Sequence, residues 1–254
     1  MRIYVLGHVT LEAGDVVVHE RALPGNQPRV ALAMLAVEHR HPISRDQIAD
    51  ELWPDRLPAS WETALRAVVS KIRATLTAAG LPHDTIRNAF GCYQLRLNGG
   101  WLDLDAAADA VHVAQAQLAR GEAARAAANA TVTSMICSRP FLPGIYGPWT
   151  LSQRDRIRDM RVLAQQCLAE ARAELGDYAR SARAAETALS LDPYREATYR
   201  QLIRSRALAG DRIGAASVYR QYRELVETEL GIEPTPDIVA AFRDAIAIGD
   251  HPGE

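Results

Sequence analysis

Apolar positions in the first hundred residues switch between two periods. Short β-branched runs at Arg2-Ile3-Tyr4-Val5-Leu6, Val9-Thr10-Leu11 and Val16-Val17-Val18, separated by Gly7 and Gly14, predict a small antiparallel sheet. Pro24-Gly25-Asn26 breaks the chain. Pro28 then sits where a first helical turn tolerates it, and Val30 to Glu38 supplies an apolar helix ended by His41-Pro42. Ser44 opens a second helix, with Gln47 three residues on in a capping-box arrangement and Ile48, Ala49 and Leu52 on the apolar side. A loop, Trp53-Pro54-Asp55-Arg56-Leu57-Pro58-Ala59, leads to a third helix from about Ser60 to Ala79, stopped by Gly80 and Pro82. Thr85-Ile86-Arg87 and Tyr93-Gln94-Leu95-Arg96-Leu97 flank a Gly91 turn and predict a hairpin. Three strands, three helices and a hairpin is the order of a winged helix-turn-helix. Residues 1–98 are therefore expected to form an α+β domain of that type.

After Gly99-Gly100 the character changes. From Asp103 the chain is alanine-rich and almost free of strand signals, with Asp103 and Asp105 placed as helix-start residues. Gly176-Asp177 recurs as Gly210-Asp211, 34 residues on, the period of a tetratricopeptide unit. Tyr178, Ala188, Leu189, Leu191, Asp192 and Pro193 fit the second helix and exit turn of such a unit. In the next unit Tyr199, Leu202, Ala215 and Tyr219 fall where packing residues belong. A helix pair of this kind hides its apolar face only against its neighbours. Residues 101–248 are thus expected to form an all-α, tetratricopeptide-like helical-repeat domain.

The third helix carries the candidate chemistry. Projected at 100° per residue, Trp61, Leu65, Val68, Ile72 and Leu76 share one stripe that must face a core. The opposite side holds Thr63, Arg66, Ala67, Ser70, Arg73, Ala74 and Thr77, with Lys71 on its flank and Glu62 as the one acid near the start. A DNA major groove admits one helix, and it requires donors for guanine and phosphate oxygens beside small residues that permit close approach. Arg66 and Ser70 are the candidates for base edges, and Lys71 and Arg73 for phosphates. Arg87 in the hairpin is placed to reach an adjacent minor groove or phosphate. Arg29 and Arg45, at the starts of the first two helices, are placed to meet phosphates beside helix-terminal N–H groups.

Composition narrows the alternatives. The chain has 254 residues, 48% hydrophobic and 24% charged, with a net charge of −2. This is the make-up of an ordinary globular protein, and no apolar run reaches the ~18 residues of a membrane span, so a cytoplasmic protein is expected. A near-neutral total means that any nucleic-acid surface must be a local patch. Lys71 is the only lysine among 29 basic residues. Cys92, Cys137 and Cys167 are too widely spaced for a zinc ribbon or a disulfide framework. His39 and His41 do not share a helical face, so no metal site is expected. There is no P-loop, no glycine-rich dinucleotide turn and no Ser/His/Asp order, so neither an enzyme nor a cofactor is expected.

Several segments resemble a known family. The N-terminal half is similar to OmpR-type winged-helix domains. Ser44-Arg45-Asp46 leading to Leu52-Trp53, Pro58-Ala59-Ser60, Val69-Ser70-Lys71-Ile72-Arg73 and Tyr93-Gln94-Leu95 carry the likeness. With Phe141-Leu142-Pro143-Gly144, Gly147-Pro148-Trp149 and Glu229-Leu230-Gly231-Ile232-Glu233-Pro234-Thr235-Pro236, the whole resembles the Streptomyces antibiotic regulatory protein (SARP) family, whose second part is the bacterial transcriptional activation domain (BTAD). The resemblance implies an activator of genes such as those for antibiotic biosynthesis, one that binds direct repeats in double-stranded DNA as a homodimer and recruits RNA polymerase holoenzyme. It also implies that Trp53–Ala59 is the polymerase-contacting loop. Two positions depart from the pattern: Asn26-Gln27-Pro28-Arg29 keeps only the arginine of the usual run, and Cys92 stands where a glycine is usual. The alternatives from the residues themselves are a repressor, or a protein-interaction or ligand-sensing repeat module with a winged-helix docking part.

Overall fold

The computed structural model describes residues 1–247. The chain is mostly helical with a small β region at its N-terminal end, and it forms two compact units. The first comprises Met1–Ala107 and Ile136–Ile157, and the second comprises Ala108–Met135 with the residues from Arg158 on.

In the first unit the chain runs β1 (Arg2–Tyr4), β2 (Thr10–Ala13), β3 (Val16–His19), α1 (Asn26–Val37), β4 (Ile43–Ser44) and α2 (Arg45–Leu52). It continues with α3 (Trp61–Ala78), β5 (Ile86–Ala89), β6 (Cys92–Leu95) and β7 (Trp101–Leu102). Two sheets result, β3-β2-β1-β7 and β4-β6-β5. In the first, Ile3 lies opposite Leu11 and Leu11 opposite Val18, so the buried Ile3 and Leu11 share one face. The strands β4 and β7 were not expected. Each has two residues, too short to show a period, and each exists by pairing with a distant partner: Ile43 with Tyr93, and Leu102, in parallel, with Ile3.

Local signals account for the helices. Around the start of α2, the Gln47 amide N–H donates to Ser44 Oγ at 3.1 Å and the Ser44 N–H to Gln47 Oε1 at 3.0 Å, completing the capping box. Helix α3 buries Leu65, Val68, Val69, Ile72 and Leu76 against α1 and α2. Val69 joins the stripe, while Trp61 at the helix start is only half-buried. Cys92 opens β6 opposite Ala89 in extended backbone, so a side chain fits where the family pattern has glycine.

Contacts of the first unit continue past residue 98. Asp103 opens the next helix, but its carboxylate accepts from the N–H groups of Val5 (3.1 Å) and Leu6 (3.0 Å) just past β1. Burial raises its pKa above the usual carboxylate range, against the lowering effect of those N–H groups and of Arg139. The segment Ile136–Ile157 also belongs to the first unit, with Gly7 N–H donating to the Pro140 carbonyl at 2.8 Å.

The remaining helices are α4 (Asp103–Leu118), α5 (Ala123–Cys137), α6 (Pro148–Glu174), α7 (Tyr178–Leu191), α8 (Glu196–Leu208), α9 (Arg212–Leu225) and α10 (Pro236–Ala247). Asp177 and Asp211 each cap a helix, accepting from Arg180 N–H (3.3 Å) and Gly214 N–H (2.8 Å). Small residues, Ala182, Ala185 and Ala215, let α7, α8 and α9 close around Tyr199, Leu202, Ile203, Val218 and Tyr222. The Tyr199 and Tyr222 rings lie 4.8 Å apart, and burial together with the Glu196 carboxylate pushes the Tyr222 hydroxyl up to about 12. Among the described residues no helix is long and apolar enough to cross a membrane.

Candidate nucleic-acid interface

The polar side of α3 is presented as the helical projection requires, because its other side is held in the core. Thr63, Arg66, Ala67, Ser70 and Lys71 are all exposed. At 1.5 Å per residue, the 18-residue helix is about 27 Å long, enough to lie in a groove. Arg66 is paired to Glu62 at 2.9 Å, with both side chains more than half exposed. An exposed i,i+4 pair of this kind is worth only about 0.3–0.5 kcal/mol, so the guanidinium is easily released to a phosphate or a guanine.

The other arginines divide by what they touch. Arg73 donates from Nη2 to the Ile86 carbonyl at 2.8 Å, which ties α3 to the first residue of β5. Arg45 donates to Asn88 Oδ1 at 3.2 Å and lies over the Tyr93 ring at 5.8 Å, which ties α2 to the same hairpin. Both therefore position the hairpin against the helix pair. Arg87 is exposed on β5. Arg29 faces inward: its side chain is 12% exposed, pairs with Glu20 at 2.8 Å and reaches the Pro143 carbonyl at 3.4 Å. A guanidinium committed to a half-buried carboxylate is not presented to a phosphate. The reason is its place as the fourth residue of α1, within reach of Glu20 and of the Pro143 carbonyl.

The Trp53–Ala59 loop leaves α2 with Pro54, Asp55, Arg56 and Leu57 exposed and Trp53 half-buried. The residue that anchors its start carried no sequence signal. Glu51 is 4% exposed, and its carboxylate accepts from Trp149 N–H (2.9 Å), Thr150 N–H (3.2 Å) and the Thr150 hydroxyl, capping the first turn of α6. Trp149 Nε1 donates to Glu38 Oε1 at 3.2 Å, reinforcing the same junction. In the sequence Glu51 is one more acid on a polar helix face, since its partners lie 98 and 99 residues away. Among the described residues no group of three or more His, Cys, Asp or Glu could hold a metal ion.

Comparison with known proteins adds the family. Residues 102–245 match the family model described as the bacterial transcriptional activator domain. The chain is 24% identical to regulatory protein AfsR of Streptomyces griseus over 240 residues, 94% of this chain and 24% of that protein. It is 26% identical to transcriptional regulatory protein EmbR of Mycobacterium tuberculosis over 234 residues, 86% of this chain and 57% of EmbR. The solved structure of M. tuberculosis EmbR in complex with a low-affinity phosphopeptide superposes with a TM-score of 0.85 at 22% identity, covering 100% of this chain and 66% of that one, so the fold is shared. A mostly helical chain with a small N-terminal β region and this second half defines the class. The chain belongs to the bacterial transcriptional activator domain family, within the Streptomyces antibiotic regulatory protein group. It spans about a quarter of the length of AfsR and just over half that of EmbR.

Proposed function

We infer that this chain is a sequence-specific DNA-binding transcriptional regulator, built as a winged helix-turn-helix followed by tetratricopeptide-like repeats. The observation that carries the reading is the exposed face of α3, where Thr63, Arg66, Ala67, Ser70 and Lys71 combine donors with small side chains above a fully apolar core stripe. In this reading Arg66 and Ser70 meet base edges, Lys71 and Arg87 meet phosphates, and Arg45 and Arg73 hold the hairpin in place. Two copies bind side by side on direct repeats, and the exposed Trp53–Ala59 loop meets RNA polymerase, giving activation of a gene set such as one for antibiotic biosynthesis. The family membership and the regulators it resembles support this.

The test is a binding titration on duplexes that the wild-type chain enriches from sheared genomic DNA. R66A/K71A is expected to lose about tenfold or more in affinity and, through the lost Lys71 phosphate contact, to reduce the slope of log K against log salt by about 1. Unchanged binding would remove α3 from the interface. In vitro transcription from an enriched promoter separates activation from repression, with less transcript refuting activation. A second reading, a repeat module that recognises a protein or a ligand, draws on a groove of about 1030 Å³ in the second unit, lined by Leu118, Gln166, Thr198, Gln201, Arg204 and Asp244 among others. Failure to enrich any duplex would favour it.

A further inference from the structure

Among the described residues, three that are not glycine have left-handed backbone: Phe90 (φ 50°), Asn98 (φ 44°) and Leu142 (φ 40°). Two of them are explained by their surroundings. Asparagine tolerates this region. Leu142 is 1% exposed, and its carbonyl accepts from Arg154 Nη2 at 2.6 Å, so the core of the first unit holds it there. Phe90 has neither reason. It forms the two-residue turn between β5 and β6 with Gly91 (φ 76°), a turn that favours Asn-Gly, and its relative exposure is 104%. A bulky residue in this conformation strains the backbone, and an aromatic ring wholly in water gives the fold no burial in return.

The tip that carries the ring is held firmly. The Arg45 N–H donates to the Gly91 carbonyl at 3.1 Å, the Arg45 guanidinium holds Asn88, and Arg73 of α3 grips Ile86 at the base of β5. Phe90 is therefore fixed relative to the first turn of α2 and to α3. Arg45 and Arg87 are the nearby cations, with Asp46 the acid in the same turn of α2. The other exposed hairpin positions, Arg87, Asn88, Ala89 and Gly91, offer no second large apolar group. Protein contacts concentrate on contiguous apolar patches. A lone ring flanked by arginines instead matches a nucleic-acid groove, where phosphates lie to either side of stacked bases.

We propose that Phe90 is an aromatic wedge that enters the DNA groove next to the one occupied by α3 and stacks on an exposed base step. The wedge rests on the DNA-binding reading above and adds to it a contact that carries no charge.

The test uses the full chain and a duplex selected by the wild-type protein from a random-sequence pool. Phe90→Asn suits the left-handed backbone and Phe90→Trp keeps a wedge. F90N is expected to lose about fivefold or more in affinity, with an unchanged salt slope and a melting temperature no lower than wild type. F90W is expected to bind within about twofold of wild type, the ring being conserved. A 2-aminopurine scan along the duplex should brighten at one step with wild type and F90W, and not with F90N. Wild-type affinity in F90N overturns the wedge while leaving the DNA reading intact, provided R66A/K71A still loses its tenfold or more. A loss accompanied by a smaller salt slope overturns it in favour of a displaced phosphate contact. Unchanged DNA binding with lost transcription assigns the ring to a protein partner and overturns it as well. If the wild type selects no duplex, the DNA reading falls and the wedge with it.

Discussion

The second unit uses one device twice, whereas the first uses each of its devices once. Helices α7 and α9 both start from an aspartate that accepts an N–H three residues on, and both close on neighbours through alanine. The first unit is closed by two unrelated carboxylates, Asp103 on the chain just past β1 and Glu51 on the start of α6, each reaching about a hundred residues along the chain. Local, repeated devices spread the risk of damage. Single long-range ones concentrate it, because nothing nearby can take up the donors that are left bare.

That contrast can be broken by mutation. Glu51→Ala should have the largest effect, destabilising by about 2–3 kcal/mol, because it leaves three donors at the start of α6, two of them buried, without an acceptor. Urea denaturation measures it, and a loss below about 1 kcal/mol would mean that water or another group replaces the carboxylate. Asp177→Ala and Asp211→Ala should each cost about 1 kcal/mol as ordinary lost caps. Their effects should add in the double variant, since the two caps share no partner. Phe90→Asn should stabilise slightly, by up to about 1 kcal/mol, by relieving a left-handed phenylalanine.

The smallest effect concerns pH. Burial alone would raise the Glu20 carboxyl, but the Arg29 guanidinium and the Val9 N–H outweigh it and hold the carboxyl below its ordinary 4.5. A depressed acid contributes stability that is present in full above the unfolded pKa and lost as pH falls through the folded one. Stability should therefore decline below about pH 4.5 in wild type, and Glu20→Gln should flatten that limb. An acid limb unchanged in Glu20→Gln would show that the Arg29 pair contributes nothing.

The same contrast explains what was legible beforehand. The Ser44–Gln47 box, the Gly91 turn, the α3 stripe and the 34-residue recurrence of Gly-Asp are written within a few residues or at a fixed period, so the pattern alone locates them. Glu51, Asp103 and the two-residue strands draw their roles from partners far along the chain, and no local spacing announces those. The interface shows the same split. Which residues α3 exposes followed from the projection, whereas whether an arginine faces outward did not. Arg29 and Arg73 are held against the fold by Glu20 and by the Ile86 carbonyl, whereas Arg66 pairs only with the exposed Glu62 of its own helix. The left-handed phenylalanine was hidden for another reason: Gly91 marks the turn but does not say which neighbour shares its conformation.

Lys71 has a practical consequence. It is exposed on α3 and is the only side-chain amine among 254 residues. An amine-selective acylating reagent therefore finds one side-chain amine, on the helix face assigned to DNA. Protection of that amine by a duplex would give a footprint of the interface from a single mass shift, and enzymatic acetylation of the side chain would have nowhere else to act.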